Sequence, residues 1–414
     1  MNLLIWIRFL FLGSFRNLMR SPRRTLISLL AIAAAASSLI VFQSFVEGVR
    51  STFRENVITS EFGHYQIYDK KADRGQANDA YAHLIEDPEA IRAKIEKEVG
   101  PVKLFSRQQK FFGLLSTGDQ SAGGRGLGID ADQEKEFLTL TQVHSGKHLA
   151  DANQESVFIG YTFAEKLGVK PGDYVTLVVT TESGSINAMD LEVAGLFKSG
   201  ITEMDSNMYM VHYETAEELL QVSGPQRILL GFEGDDELIY DKKLGAVMAA
   251  SFPALEAVHW QTLATYFENT MGWLDGIFGV FRFIIILIAT LSIINVFTIT
   301  LMERMGEFGT LRAIGTKGTE VISMILVEGF TQAIIGSAIG VAAGIGLITI
   351  ALGDGISMPP PLLMNVPFQV TFSVPWDGVI ITALLCIVVA GGSGLIPAFK
   401  MARVNIVEAL GRNV

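Results

Sequence analysis

His144 and His148 stand four residues apart, the spacing at which two imidazoles on one helical face can share a metal ion. Ser145 and Gly146 between them predict a loop instead, and no metal site is expected. Gly123-Gly124-Arg125-Gly126-Leu127-Gly128 has the glycines of a nucleotide loop, but no strand and phosphate-facing helix bracket it, so a flexible turn is expected. Gly309, Gly315, Thr316 and Lys317 imitate a Walker A loop. There, however, five residues separate the glycines where four are required, and threonine precedes the lysine. ATP and Mg²⁺ are therefore not expected on this chain. The single cysteine, Cys386, lies in an apolar run, where a thiol is inert, and it has no second cysteine with which to form a disulfide or a thiolate cluster. No serine or acid sits in a nucleophile motif, so the sequence predicts a chain without catalysis of its own.

Chemistry of another kind is concentrated between Met302 and Lys317. Phe308, Leu311 and Ile314 recur at helical spacing, with Glu303, Arg304, Glu307 and Arg312 around them. This pattern predicts a short helix that seats an apolar face in a partner's groove behind a polar rim. Downstream, Glu328 and Gln332 lie two to three turns into a long apolar stretch. An ionisable group at such depth is a functional candidate by default, but here it falls close enough to the inner interface to pair with Arg304 or Arg312. Gly336, Gly340 and Gly344 recur every fourth residue, a small-residue seam for close helix packing either within one bundle or between two chains.

These residues need helices that cross a bilayer. The chain has 414 residues, 49% hydrophobic and 18% charged, and its mean hydropathy of +0.37 is too high for an ordinary soluble protein of this length. Four stretches approach the roughly 20 apolar residues that a span requires. The expected organisation is an interfacial amphipathic helix over 1–24, with Trp6 at headgroup level, and a first span over 25–48. A large domain over 49–274 leads to a second span over 275–302. The 303–320 loop, a third span over 321–352, an outer loop over 353–376, a fourth span over 377–397 and a tail over 398–414 complete it. Ala33 to Ser38 resembles a signal-peptidase site, but the apolar run continues through Leu39-Ile40-Val41-Phe42, past the point where a signal peptide ends. Arg8, Arg16, Arg20, Arg23 and Arg24 precede the first span with no acid among them, and Arg304, Arg312 and Lys317 fall in the 303–320 loop. Lys400, Arg403 and Arg412 fall in the tail, while 353–376 has no Lys or Arg, so both termini are expected in the cytoplasm and the large domain outside.

The overall charge of −11 hides a strong asymmetry. Between Arg50 and Asp275 there are 35 acids against 20 bases, which disfavours nucleic acid and other polyanions as ligands. The Lys170-Pro171-Gly172-Asp173 turn followed by alternating Tyr174 to Val179 predicts a strand, as do Leu191 to Phe197 and Met208 to Val211. Helical patterns at Asp87 to Val99, Thr162 to Leu167 and Glu214 to Gln221 make this an α+β domain, so the fold class is four transmembrane helices with one large α+β domain inserted between helices 1 and 2.

The segment Glu303-Arg304-Met305-Gly306-Glu307-Phe308-Gly309-Thr310-Leu311-Arg312-Ala313-Ile314-Gly315 resembles the "ER..E.G.LRA.G" segment of the ABC transporter permeases typified by MacB, LolC, LolE and FtsX. The similarity extends to the whole architecture and to the ending Ile396 to Leu410, in which proline closes the last span and a short basic helix follows. Glu61 to Ile67, with its Gly-His-x-Gln-Ile core, is similar to the lipoprotein-releasing branch.

The resemblance implies that 303–320 forms a coupling helix docking into a separate cytoplasmic ATPase, which would hold the ATP and Mg²⁺. It implies two ATPase chains, a second permease chain, identical or homologous, and a bacterial inner-membrane location. Phe42, Phe45, Phe278 and Phe281 would line a substrate cavity open to membrane lipid. The substrate class implied is a lipoprotein or other amphiphile, moved by mechanical transmission. The alternatives are MacB-like efflux of drugs, peptides or toxins, for which the sequence before the first span leaves no room for a fused ATPase, and FtsX-like signalling to a cell-wall hydrolase.

Overall fold

A computed structural model describes residues 22–72, 81, 83–137, 141–199, 201–233, 237–359, 368–374 and 376–402. The proposed interfacial helix over 1–24 therefore lies outside the described residues except at its end, as do Arg403 and Arg412. The chain forms two compact units. One comprises Met1–Thr52, Met271–Ser357 and Gln369–Val414, and the other Phe53–Thr270 with Met358–Phe368.

In the first unit, helices α1 (Pro22–Val57), α2 (Thr265–Glu303), α3 (Met305–Ala313), α4 (Gly318–Ala351), α5 (Trp376–Ser393) and α6 (Leu395–Ala402) follow in chain order. Among the described residues, four helical stretches are long and apolar enough to cross a membrane: Thr25–Val57, Phe267–Glu303, Gly318–Ala351 and Trp376–Lys400. The helices outrun the apolar windows, because nothing in Gly48–Val57 or Thr265–Gly276 breaks a helix once polar turns have carried it beyond hydrocarbon. Pro397, expected to close the fourth span, instead sits in the first turn of α6 after a break at Gly394. At that position the missing proline N–H leaves no carbonyl unsatisfied.

Close packing of α1 on α4 follows from the glycine seam. A Cβ on Gly336 would meet Ile32 at 2.8 Å, one on Gly340 the Ala33 carbonyl at 2.5 Å, and one on Gly344 Ile40 at 3.2 Å. The seam therefore belongs to the interior of this bundle, settling the alternative that spacing alone left open.

The second unit is an α+β domain. Among the described residues its main sheet has ten strands: β1 (Tyr65–Asp69), β2 (Val102–Ser116), β3 (Ser121–Ile129), β4 (Gln142–Gly146), β5 (Ser156–Gly160), β6 (Tyr174–Thr180), β7 (Ile186–Lys198), β8 (Met208–His212), β9 (Arg227–Phe232) and β10 (Leu255–His259). They run in the order β10-β1-β9-β2-β3-β8-β5-β7-β4, and β6 bridges β2 and β7, closing a circuit of six strands. The β3–β8 and β5–β7 pairs are parallel. Strand β2 serves two cores: its first half pairs with β9 beside a cluster containing Ile67, Phe105 and Leu230, and its second half pairs with β3 and β6 around Leu115, Leu177 and Val193.

Gly123 to Gly128, expected as a flexible turn, forms the body of β3. These glycines make room rather than supply flexibility. A Cβ on Gly126 would lie 2.3 Å from the Phe111 ring, and one on Gly128 would lie 2.4 Å from Ala216 Cβ. His144, expected in a loop, lies on β4, and His148 caps a single 3₁₀ turn by accepting from the Ala150 N–H at 3.2 Å through Nδ1.

Where β2 changes partners, buried polar groups replace the apolar core. Ser106 and Gln108 both donate to Glu134 Oε1 at 2.5 Å, and Gln108 Oε1 accepts from Arg227 Nε at 2.7 Å. Arg227 Nη1 then reaches Gln66 Oε1 at 3.2 Å. Burial pushes the Glu134 carboxyl up to about 7, against the opposing pull of the Ser106 and Gln108 hydrogen bonds. The folded form thus holds a proton that the unfolded chain has released, so its stabilising effect is complete below about pH 4.5 and is lost as pH rises to about 7. Glu134→Gln is expected to remove this dependence. Its unfolding midpoint should gain on wild type between pH 5 and pH 8, by the equivalent of up to about 3 kcal/mol, as measured by thermal unfolding at the two pH values.

Candidate functional site

The end of α2 and the short α3 bring Glu303, Arg304, Glu307 and Arg312 together within ten residues of the membrane unit. Arg304 leaves helical geometry (φ −99°, ψ 12°), so the chain turns there between α2 and α3. Gly315 ends the connection in the left-handed region at φ +103°, where a side chain would be strained. Lys317 then opens α4, its N–H donating to Glu320 Oε2 at 3.0 Å.

Arg304 organises the turn. Its Nη1 donates to both carboxylate oxygens of Glu328 at 2.8 and 2.9 Å, its Nε donates to Glu307 at 3.0 Å, and its guanidinium lies 5.2 Å from the centre of the Phe308 ring. The sequence alternative in which Glu328 pairs with Arg304 is the arrangement found. Side chains of this pair are only 12% and 14% exposed, so the attraction acts with little solvent screening. Gln332, one turn further along α4, is buried.

The apolar face expected to meet a partner is divided. Phe308, 5% exposed, packs with Leu301, Met305, Val321, Ile325 and Ala398, and Leu311 lies against the same cluster. Phe308 is therefore corrected from a partner-facing to an internal role, and Leu311 is half-covered: an amphipathic pattern only specifies that one side is buried, and here α4 and α6 bury Phe308. Ile314, 76% exposed, does face outward, as do Glu303, Glu307 and Thr310, while Arg312 is half-buried. Gly306 and Gly309 are buried in α3, and two glycines three residues apart are the sequence signal for that close packing.

Three of the four phenylalanines expected to line a cavity come together near the other ends of α1 and α2. The Phe278 ring lies edge-on to Phe42 and Phe45, each with centroids 6.1 Å apart, and Phe45 also contacts Phe372 at 6.0 Å. Phe281 is 52% exposed and stands outside that group. Polar bridges flank the aromatic cluster: Arg282 donates to Gln43 at 2.6 Å, and Arg50 donates to both oxygens of Asp275 at 2.7 and 2.9 Å. Phe372, Arg50 and Asp275 escaped the sequence reading because their partners are more than 220 residues away along the chain.

Among the described residues no group of three or more His, Cys, Asp or Glu could hold a metal ion. The arrangement contains no nucleophile–base pair. What it contains is a charged, partly exposed helix fastened to three neighbours.

Residues 25–239 match the family model described as the MacB-like periplasmic core domain, and residues 279–406 match the FtsX-like permease C-terminal model. The lipoprotein-releasing system transmembrane protein LolC of Xylella fastidiosa strain 9a5c is 23% identical over 404 residues, covering 92% of each chain. The macrolide export ATP-binding/permease protein MacB of Nitrobacter winogradskyi is 33% identical over 129 residues, 30% of this chain and 18% of that protein. The crystal structure of the periplasmic region of MacB from Actinobacillus actinomycetemcomitans aligns with a TM-score of 0.35 at 12% identity, covering 51% of this chain and 96% of that one. With one family model spanning half of the chain and a second covering the helices that follow, this multi-pass membrane protein belongs to the MacB/LolC/FtsX family of ABC transporter permeases.

Proposed function

We propose that this chain couples ATP hydrolysis by a separate cytoplasmic ATPase to the extraction of lipoproteins from the membrane. The observation that carries the coupling role is the attachment of α3. Arg304 and Phe308 fasten it to α4 and α6, while Glu307 and Thr310 remain on its outer surface, flanked by exposed Glu303 and Ile314. A motor domain pressing on that surface moves α3 together with α4, and the glycine seam passes the displacement to α1. A ligand shifts such a bundle only through unequal contacts with its two states, so the nucleotide-closed ATPase must grip α3 differently from the open one.

Lipoprotein as the substrate rests on LolC, whose alignment runs through 92% of both chains, and on the Gly63-His64-Tyr65-Gln66-Ile67 segment at the start of β1. In this scheme both termini and α3 face the cytoplasm, consistent with the Arg and Lys distribution, and the α+β domain lies on the opposite side. Acyl chains meet α1 and α2 beside Phe42, Phe45 and Phe278, with a second permease chain completing the cavity. Efflux of a drug or peptide is the second reading, favoured by the MacB-like match over 25–239.

Two measurements test these assignments. Phe308→Ala opens a cavity, and Glu328→Ala leaves Arg304 without its principal partner, so each is expected to destabilise the purified chain by about 3 kcal/mol in thermal melts. Ile314→Asp and Thr310→Lys should leave the melt unchanged yet reduce ATPase stimulation at least about tenfold, the effect of losing roughly 1.4 kcal/mol at a docking surface. Normal stimulation in both surface variants would remove α3 from the coupling path. For the substrate, proteoliposomes holding the permease with its co-purifying ATPase are expected to release a triacylated lipoprotein on ATP addition. Release of a macrolide or peptide with retention of the lipoprotein would instead establish efflux.

A further inference from the structure

Two cavities of about 10 Å³ each, open to the centre of one water molecule, lie among the membrane helices. Their linings differ in kind. The first is enclosed by apolar groups, among them Ile32, Leu39, Ile286, Ile293, Cys386 and Val389. A cavity of that size with no polar partner stays dry. The second lies between α1, α2 and α4, where Ser28, Thr300, Glu328 and Gln332 meet between walls formed by Phe297 and Ile325.

Gln332 is 4% exposed, and its Oε1 has no hydrogen-bond partner. A buried amide oxygen left unpaired at membrane depth is strongly unfavourable, because neither protein nor lipid replaces the water it gave up. Glu328 gives one lone pair of each oxygen to Arg304 Nη1 and, as a carboxylate, has acceptor capacity to spare. Thr300 spends its hydroxyl proton on the Val296 carbonyl at 2.9 Å, which leaves its oxygen able to accept. Ser28 brings a hydroxyl that can donate.

We propose that this second cavity is a binding site for one structural water molecule, which donates to Gln332 Oε1 and to the Glu328 carboxylate and accepts from the Ser28 hydroxyl. A monovalent cation would find similar oxygens, but both oxygens of Glu328 are already bonded to Arg304, and the charge of Glu307, 56% exposed, is screened by solvent, so the cavity offers an ion too few oxygens to replace its hydration shell. A neutral water satisfies the orphaned oxygen without that penalty. The water extends the polar path Glu307–Arg304–Glu328 to Gln332 on α4 and Ser28 on α1, binding the first span to the third at the end where α3 is attached. This assignment does not depend on the chain's substrate or on its ATPase.

Synchrotron hydroxyl-radical footprinting of the full chain in detergent, read by mass spectrometry, tests it. Radiolysis of a bound water labels buried neighbours, so Phe297 and Ile325 are expected to be modified at millisecond exposure. Cys386, beside the dry cavity, should remain unmodified although sulfur reacts fastest. Gln332→Met is expected to abolish labelling at Phe297 and Ile325 and to lower the melting temperature, because a bridged amide has been lost. Ser28→Ala should reduce the same labelling without altering side-chain volume greatly. Phe297 and Ile325 as unreactive as Cys386 in wild type would overturn the proposal, as would a higher melting temperature in Gln332→Met, the result expected if a dry cavity merely lost an orphaned oxygen. A melting temperature that rises in sodium relative to choline buffer would assign a cation and reject the water.

Discussion

The membrane unit depends on the contact of Arg304 with Glu328. Bringing a guanidinium and a carboxylate out of water is expensive, and an apolar pair of equal volume would often hold two helices together as well. An ion pair differs from an apolar contact in its specificity, since Arg304 Nη1 donating to both Glu328 oxygens at 2.8 and 2.9 Å fixes the turn between α2 and α3 at one position along α4. The Phe308 ring beside the same guanidinium adds an apolar anchor. Together they make α3 part of the bundle rather than a loose loop, and that attachment is the physical requirement for a helix that transmits force.

From this fastening the rest of the unit follows by close approach. Helices in lipid gain no hydrophobic attraction for one another, so they associate through packing and hydrogen bonds. Gly336, Gly340 and Gly344 supply the packing by admitting the backbone of α1. The α+β domain uses glycine in the same way, in β3 against Phe111 and Ala216. It also places buried polar groups at a junction: Glu134, Gln108 and Arg227 mark the place where β2 passes from one core to the other, as Arg304 and Glu328 mark the turn from one helix to the next.

Much of the architecture was legible before any coordinates. Long apolar runs identified the helices that the structure contains, and the strand at Tyr174 was evident from alternation after turn residues, with further strands expected at Leu191 and Met208. The segment around Arg304 stood out because Phe308, Leu311 and Ile314 recur at helical spacing in a short stretch between long apolar spans. Two readings failed for related causes. Gly123 to Gly128 looked flexible because glycine is permissive in isolation, whereas aromatic rings from Phe111 and Phe163 occupy the space it leaves. Phe308 and Leu311 looked available to a partner because periodicity identifies an apolar side but not what covers it.

The sequence by itself determined what depends on solvent and local geometry: which stretches favour hydrocarbon, where turns break them, and that one short charged helix follows the second span. Those properties follow from nearest neighbours along the chain and from the transfer of each side chain between water and lipid. Only the tertiary structure decided that Glu328 takes Arg304, that Phe308 is internal while Ile314 is exposed, that Phe372 joins Phe45 and Phe278, and that Gln332 faces a small polar cavity. Each of these is a choice among partners far apart in sequence, and it is set by which helices approach most closely once the glycine seam has brought α1 and α4 together.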